Sequence, residues 1–429
     1  MTDDRVFAKC AWRLLPLMML LYLINYIDRV NVGFAALTMN KDLGFTPTIY
    51  GFGAGIFFFS YSLSQVPANL IFAKLGARRW IFTILLVWGA ISVANALVRS
   101  PSSFYVLRFL LGVAEAGFFP GMIFYITLWF PESYRARFIA LFYTAVPLAF
   151  VIGGPLSSVI LPMEGIAGLH GWQWLFVIEG LPACLSAFLV WKVLPDAPAH
   201  ASFLTEEEKA FIAKRLTAEE RAEHSNPWLA LRDPRVVVLG IAGFGIGVGE
   251  YGVQLWLPQI VRAMGFTNAE TGFVIAVPFA ISAIALIVWG RLSDRAHERY
   301  WFVALPLFLA AAGLTTASIA QSHAIGLLAI TAAVIGIIGV VGPFWTLPSS
   351  FLGGTASAAS IGLVRTIGSF GGFVGPVIVG FLRESTGGFA APIAALALCM
   401  MLAGLLVLAL GHAIAARAIA REAPIRRAT

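Results

Sequence analysis

An all-α membrane protein, with twelve transmembrane helices in two pseudo-symmetric six-helix bundles, is the fold class this sequence predicts. Three observations predict it: a composition suited to lipid, twelve separate apolar stretches, and landmarks that repeat between the two halves. Of 429 residues, 59% are apolar and 12% charged, and mean hydropathy is +0.85. A soluble domain carries roughly 25% charged residues, so a water-facing surface cannot be built from this composition. Lipid is the solvent for most of the chain.

The elements follow in order. The opening MTDDRVFAKCAWRLL leads into an apolar run too long for a signal-peptide core, so span 1 (12–36) is expected to start in the cytoplasm and stay in the mature protein. Spans 2 (49–73) and 3 (78–98) flank a basic turn, spans 4 (102–129) and 5 (136–161) flank Arg135 and Arg137, and span 6 (172–194) ends the first half. Spans 7 (236–262) and 8 (270–290) precede Arg291, Arg295 and Arg299. Spans 9 (300–321), 10 (325–348), 11 (358–382) and 12 (390–412) complete the second half. With the first segment inside, 22 of the 29 basic residues fall on the cytoplasmic face, against Lys41, Arg99, Arg262 and Arg383 on the other. That positive-inside asymmetry sets the orientation, with both termini cytoplasmic. It also explains the net charge of +7 without nucleic acid.

The expected organisation is a bundle over 1–194, a polar cytoplasmic loop over 195–235, a second bundle over 236–412 and a basic tail over 413–429. In the loop, Thr205 followed by Glu206, Glu207 and Glu208 predicts a capped amphipathic helix near 206–222. Cys10, Cys184 and Cys399 lie far apart in no metal-ligand or redox spacing and read as small apolar fillers. No N-glycosylation sequon occurs, which points to a bacterial plasma membrane.

The halves repeat with an offset of 221. Gly290-Arg-Leu-Ser-Asp294-Arg295, after span 8, maps onto 69–74, followed by Gly76, Arg78 and Arg79 after span 2. Gly371, Gly375 and Pro376 in span 11 map onto 150–155 in span 5, and Gly342 maps onto Gly121. Parallel repeats of this kind pack around a central site near the bilayer midplane and rock about it, which is alternating access.

At these residues the chain resembles the major facilitator superfamily, whose signature between spans 2 and 3 is Gly-X-Leu-X-Asp-Arg-X-Gly-Arg-Arg. The second-half copy keeps the acid as Asp294, whereas the first has Ala73 in its place. More narrowly, it resembles the anion:cation symporters: sugar-acid, tartrate and phthalate permeases and the vesicular glutamate transporters. The segments that carry this are Tyr26 to Asn31, Arg108 to Pro120, Gly171 to Pro182 and Tyr251 to Pro258. The resemblance implies that Arg29 binds a substrate carboxylate, that Asp28 and Glu115 take part in protonation, and that Arg108 belongs to the same charge network. It also implies that Tyr61 and Trp345 match sugar-acid site positions.

The charges inside spans give an independent reading. A charge at lipid depth costs a few kcal/mol, so it faces a cavity or a partner. Arg29, Arg108 and Arg365 are the intramembrane cations; Asp28, Glu115, Glu179 and Glu250 are the acids. Adjacent Asp28 and Arg29 diverge by about 100° around their helix, while Arg29 shares a face with Asn25. Arg29 either grips a substrate carboxylate in two parallel hydrogen bonds or pairs with an internal acid. Asp28 is either a proton carrier or a structural partner. Arg108 and Glu115, two turns apart on one face, reach different depths of one cavity, and Glu115 is either a coupling acid or half of a fixed pair. Arg365, where many relatives have Asn, puts a second cation opposite Arg29, suited to a dicarboxylate; the competing reading is that it neutralises Glu250 or Glu115. Tyr251, Tyr143, Thr144 and Ser369 are further pocket candidates; Glu179 and Glu250 read mainly as structural, with Glu250 the better functional candidate because of its place in span 7.

The function expected is uptake of a small organic anion with protons, by a monomer in the inner membrane, with no metal, cofactor or nucleic acid. Enzyme chemistry lacks its residue sets: the six histidines lie at span ends or in loops, with no zinc or phosphate-loop motif. A proton-coupled exporter is the nearer rival, because Val151-Ile-Gly153-Gly154-Pro155 partly resembles an antiporter signature. Three intramembrane arginines weigh against cationic drugs. A sensor would need a soluble domain larger than any present here.

Overall fold

This computed structural model describes residues 3–220, 232–296, 298–350 and 354–426, which are almost wholly helical. Eleven helices are long and apolar enough to cross a membrane. Span 2, Pro47–Leu75, is the twelfth: 29 residues long, it packs between spans 4 and 11. It buries Ser60, Ser62 and Gln65. A helix that faces protein on several sides needs less continuous apolar surface than one facing lipid, which is why polar residues interrupt its apolar run.

Most helices outrun their apolar stretches. Span 1 runs Asp3–Asp42, span 7 Pro234–Ala263, span 8 Asn268–Ala296 and span 11 Gly354–Thr386. Apolarity marks where the chain meets lipid, whereas hydrogen-bonded backbone continues until a cap or a breaker stops it. Span 12 continues as one helix, Ala390–Arg426, through the segment expected to be a tail. Span 4 is two helices, Pro101–Glu115 and Phe118–Trp129, and span 10 is His323–Gly339 and Val341–Thr346. Each break lies just before a proline, Pro120 or Pro343, which removes a backbone donor to the preceding turn. These two broken helices occupy related places in the halves; span 5 is also broken at Thr144, into Glu132–Tyr143 and Ala145–Ile160.

The halves meet closely at the end away from the chain termini. There span 2 lies on span 11, and the second helix of span 5 (Ala145–Ile160) on span 8. A Cβ on Gly51 would meet the Pro376 carbonyl oxygen at 2.5 Å, and one on Gly154 would meet that of Gly272 at 2.6 Å. Only glycine permits such backbone approach. Gly51 and Gly272 stand 221 positions apart, so both contacts belong to the repeat. Polar links reinforce this end. The Glu384 carboxylate accepts from the Thr48 amide (2.9 Å) at the start of span 2, and the Tyr50 hydroxyl donates to the Leu255 carbonyl (2.7 Å). Phe150 and Phe279 stack across the seam at 3.7 Å.

At the opposite end, the expected loop helix runs Glu206–Glu220, and its remainder lies outside the described residues. Thr205 and Glu208 cap it reciprocally, Glu208 accepting from the Thr205 amide and Thr205 from that of Glu208. It docks on the first half through a Lys9–Glu208 ion pair at 2.7 Å and buried Ile212.

Candidate functional site

The site is a cavity of about 60 Å³ between the halves. Span 1 supplies its first wall. Spacings of four and three put Tyr22, Tyr26 and Arg29 on one stripe of that helix, and all three line the cavity. Asp28 faces the other way, into the first bundle. Its carboxylate accepts from Trp88 Nε1 at 2.5 Å, from Asn31 Nδ2 at 3.1 Å and from the Ser92 hydroxyl.

Arg29 donates to Glu115 Oε2 at 2.7 Å and to Asn25 Oδ1 at 3.3 Å; Asn25 in turn donates to Glu115 at 2.8 Å. The guanidinium also lies 5.0 Å from the Tyr61 ring centre and 5.2 Å from that of Tyr26. Glu115 is fully buried, and among the described residues its Oε1 has no hydrogen-bond partner. Arg108 lies deeper, also fully buried, 4.9 Å from the Phe57 ring centre. Among the described residues its three guanidinium nitrogens have no hydrogen-bond partner. Two cations and one carboxylate therefore occupy the first bundle's inner layer, so the Glu115 charge is the one that holds Arg29 in place.

The second half supplies the facing wall. Arg365 rests with its guanidinium 3.9 Å from the centre of the Phe119 ring, which belongs to the first half, and 5.7 Å from that of Trp345. It forms no ion pair among the described residues, so neither Glu250 nor Glu115 neutralises it directly. Glu250 lines the same cavity, is 8% exposed and accepts from Gln254 Nε2 at 3.2 Å. Tyr251 packs on Phe58 of the first half, ring centres 4.1 Å apart.

Of the residues singled out from sequence, Arg29, Arg365, Trp345 and Tyr251 reach the cavity, as do Tyr143 and Ser369. Asn25, Tyr61, Glu115 and Arg108 stand behind Arg29, and Asp28 is turned away. Glu179 accepts from Ser157 at 3.0 Å inside the first bundle, as a structural acid would. Sequence reasoning passed over Tyr22, Phe119 and Phe344, and took Tyr26 only as part of a motif. The stripe at 22, 26 and 29 was a legible signal for the two tyrosines, but Phe119 sits at the helix break, where face periodicity is lost.

The chain matches the sequence model described as Major Facilitator Superfamily over residues 18–376. A protein of Agrobacterium vitis described as "Putative tartrate transporter" is 45% identical over 413 residues, covering 96% of this chain and 92% of that protein. A "Quinolone resistance transporter" of Acinetobacter baumannii is 40% identical, covering 93% of each chain. Among solved structures, a bacterial homologue of the human lysosomal transporter Spinster, in an inward-facing and occupied conformation, aligns with TM-score 0.76. It is 17% identical and covers 93% of this chain and 96% of that one.

Proposed function

Because this chain belongs to the Major Facilitator Superfamily, we propose that it takes up a small organic anion, a dicarboxylate such as tartrate, together with protons. It is a multi-pass membrane transporter and not an enzyme. One observation carries the reading: Arg29 and Arg365, from opposite halves, line one cavity, and Arg29 is already held by a protonatable acid. A substrate carboxylate that engages Arg29 competes with Glu115 for the same guanidinium. Leaving Glu115 buried and charged without its cation costs about 3–5 kcal/mol, a cost that proton uptake avoids. Substrate and proton therefore arrive together, and the restored Arg29–Glu115 pair resets the empty carrier.

Two roles were open for Asp28. Its three donors, two of them on span 3, support the structural one, a tether between spans 1 and 3. Arg108, Tyr61 and Asn25 position the Arg29–Glu115 pair, while Trp345 and Tyr251 shape the pocket. With the termini cytoplasmic in a bacterial inner membrane, the sealed far end is the outer gate and the arrangement faces inward. The unit is the monomer.

The test is uptake into liposomes holding the purified protein. An acid-outside gradient should drive labelled tartrate inward, and no uptake would overturn the reading. A second reading, export of an aromatic acid, draws on the six aromatic rings of the cavity wall (Tyr22, Tyr26, Tyr143, Tyr251, Phe344 and Trp345) and on the quinolone-named relative. Drug efflux driven by the same gradient would favour it.

A further inference from the structure

Glu250 has no role in the coupling described so far, yet it stands on the cavity wall. Its surroundings are unusual for a buried acid. Its one described hydrogen-bond partner is the neutral Gln254 amide, and among the described residues no cation forms an ion pair with it. Facing it across the cavity are Arg365 from span 11, Arg29, Tyr22 and Tyr26 from span 1, and Tyr143 from span 5, with Tyr251 beside it. Span 12 brings no charged residue over 390–411, span 10 none over 325–348, and the charges of span 8 lie at its ends. Arg365 and Arg29 are thus the cations that can balance Glu250, and both are the groups a substrate would claim.

Charge counting makes this consequential. Arg29 and Arg365 carry two positive charges at the cavity, and Glu115 and Glu250 carry two negative ones. The empty site is neutral with both acids ionised. Arg108 and Asp28, behind the wall, are of opposite sign and do not alter that balance. A dianion adds two negative charges to a site closed to water, and an uncompensated charge there is prohibitive. One proton, on Glu115, compensates one of them.

We infer that Glu250 is a second proton carrier, serving Arg365 as Glu115 serves Arg29, so that each half supplies one arginine for one carboxylate and one glutamate for one proton. A dicarboxylate then crosses with two protons and no net charge. The inference rests on the proton-coupled anion reading above.

Purified protein in liposomes, with potential clamped at zero by potassium and valinomycin, tests it through the pH difference at which net tartrate flux reverses. For the unaltered protein at neutral pH, where tartrate is a dianion, a tenfold tartrate gradient should be balanced by about half a pH unit; one proton would require about one unit. Reversal near one unit overturns the inference and leaves the coupling itself standing. Tartrate exchange that ignores the pH gradient overturns the coupling as well. Glu250→Gln should move the reversal to about one unit and make inside-negative potential oppose uptake. The reversal point does not depend on rate, so a slow variant still reports it, and an unmoved reversal point rejects Glu250 as the carrier. Should Glu250→Gln fail to fold, Glu250→Ala takes its place, with the same expected move of the reversal to about one unit.

Discussion

The guanidinium of Arg29 illustrates how a sequence can identify a group without giving its state. Its face, its neighbour Asn25 and its divergence from Asp28 follow from helical geometry. Its ion pair with Glu115 does not, because that pairing joins spans 1 and 4 through the packing of the bundle. Arg365 was legible as a second cation, but its seat on Phe119 depends on how the halves meet. Two predictions belong at this scale. Arg365→Ala should abolish the rise in melting temperature that tartrate gives the purified protein and Arg29→Ala should reduce it, and Arg365→Lys should not restore it, since a point charge lacks the two-pronged fork. Glu115→Gln should keep detectable tartrate exchange while losing acid-driven accumulation; normal accumulation would remove Glu115 from the coupling.

Among the elements, the spans themselves were the most legible feature, because lipid imposes a length and an apolarity that can be read residue by residue. Their ends were not, since helices continue past the lipid boundary until something stops them. Nor were the breaks in spans 4 and 10 expected, although Pro120 and Pro343 stand in plain view; a proline in a membrane helix bends or breaks it according to its neighbours. At the glycine seam, Gly154 and Pro376 stood out as repeat landmarks, but which residues they touch did not. Gly272→Leu should force spans 5 and 8 apart at the Gly154 carbonyl and lower stability by about 1–3 kcal/mol, measurable as a drop in melting temperature. The docked helix responds to acid. Lys9, and then the Thr205 amide, hold the Glu208 carboxyl below its ordinary value of 4.5. Docking is therefore complete above that value and weakens as pH falls through the lower, folded one. Proteolysis of the loop across an acid series should show this protection fading.

The whole molecule was foreseeable as two related halves because the offset of 221 ties landmarks that later prove to be contacts, Gly154 and Pro376 among them. Which end is sealed was not foreseeable, since both arrangements use the same sequence. Glu384 bridges the halves at that end through a backbone amide, so Glu384→Ala should raise the population open there. Spin labels at Lys41 and Thr267 would report it as a longer distance component, and an unchanged distribution would deny Glu384 that role. The resting place of Arg365 carries one more implication. A cation laid on an aromatic ring is lightly parked, released for about 1–2 kcal/mol, whereas Arg29 is committed to a partner that must be displaced. An incoming diacid thus anchors first at the unclaimed end and swings its second acid group toward the occupied one. Compounds with a single acid group would then dock at the parked end without evicting anyone, and behave as blockers rather than passengers.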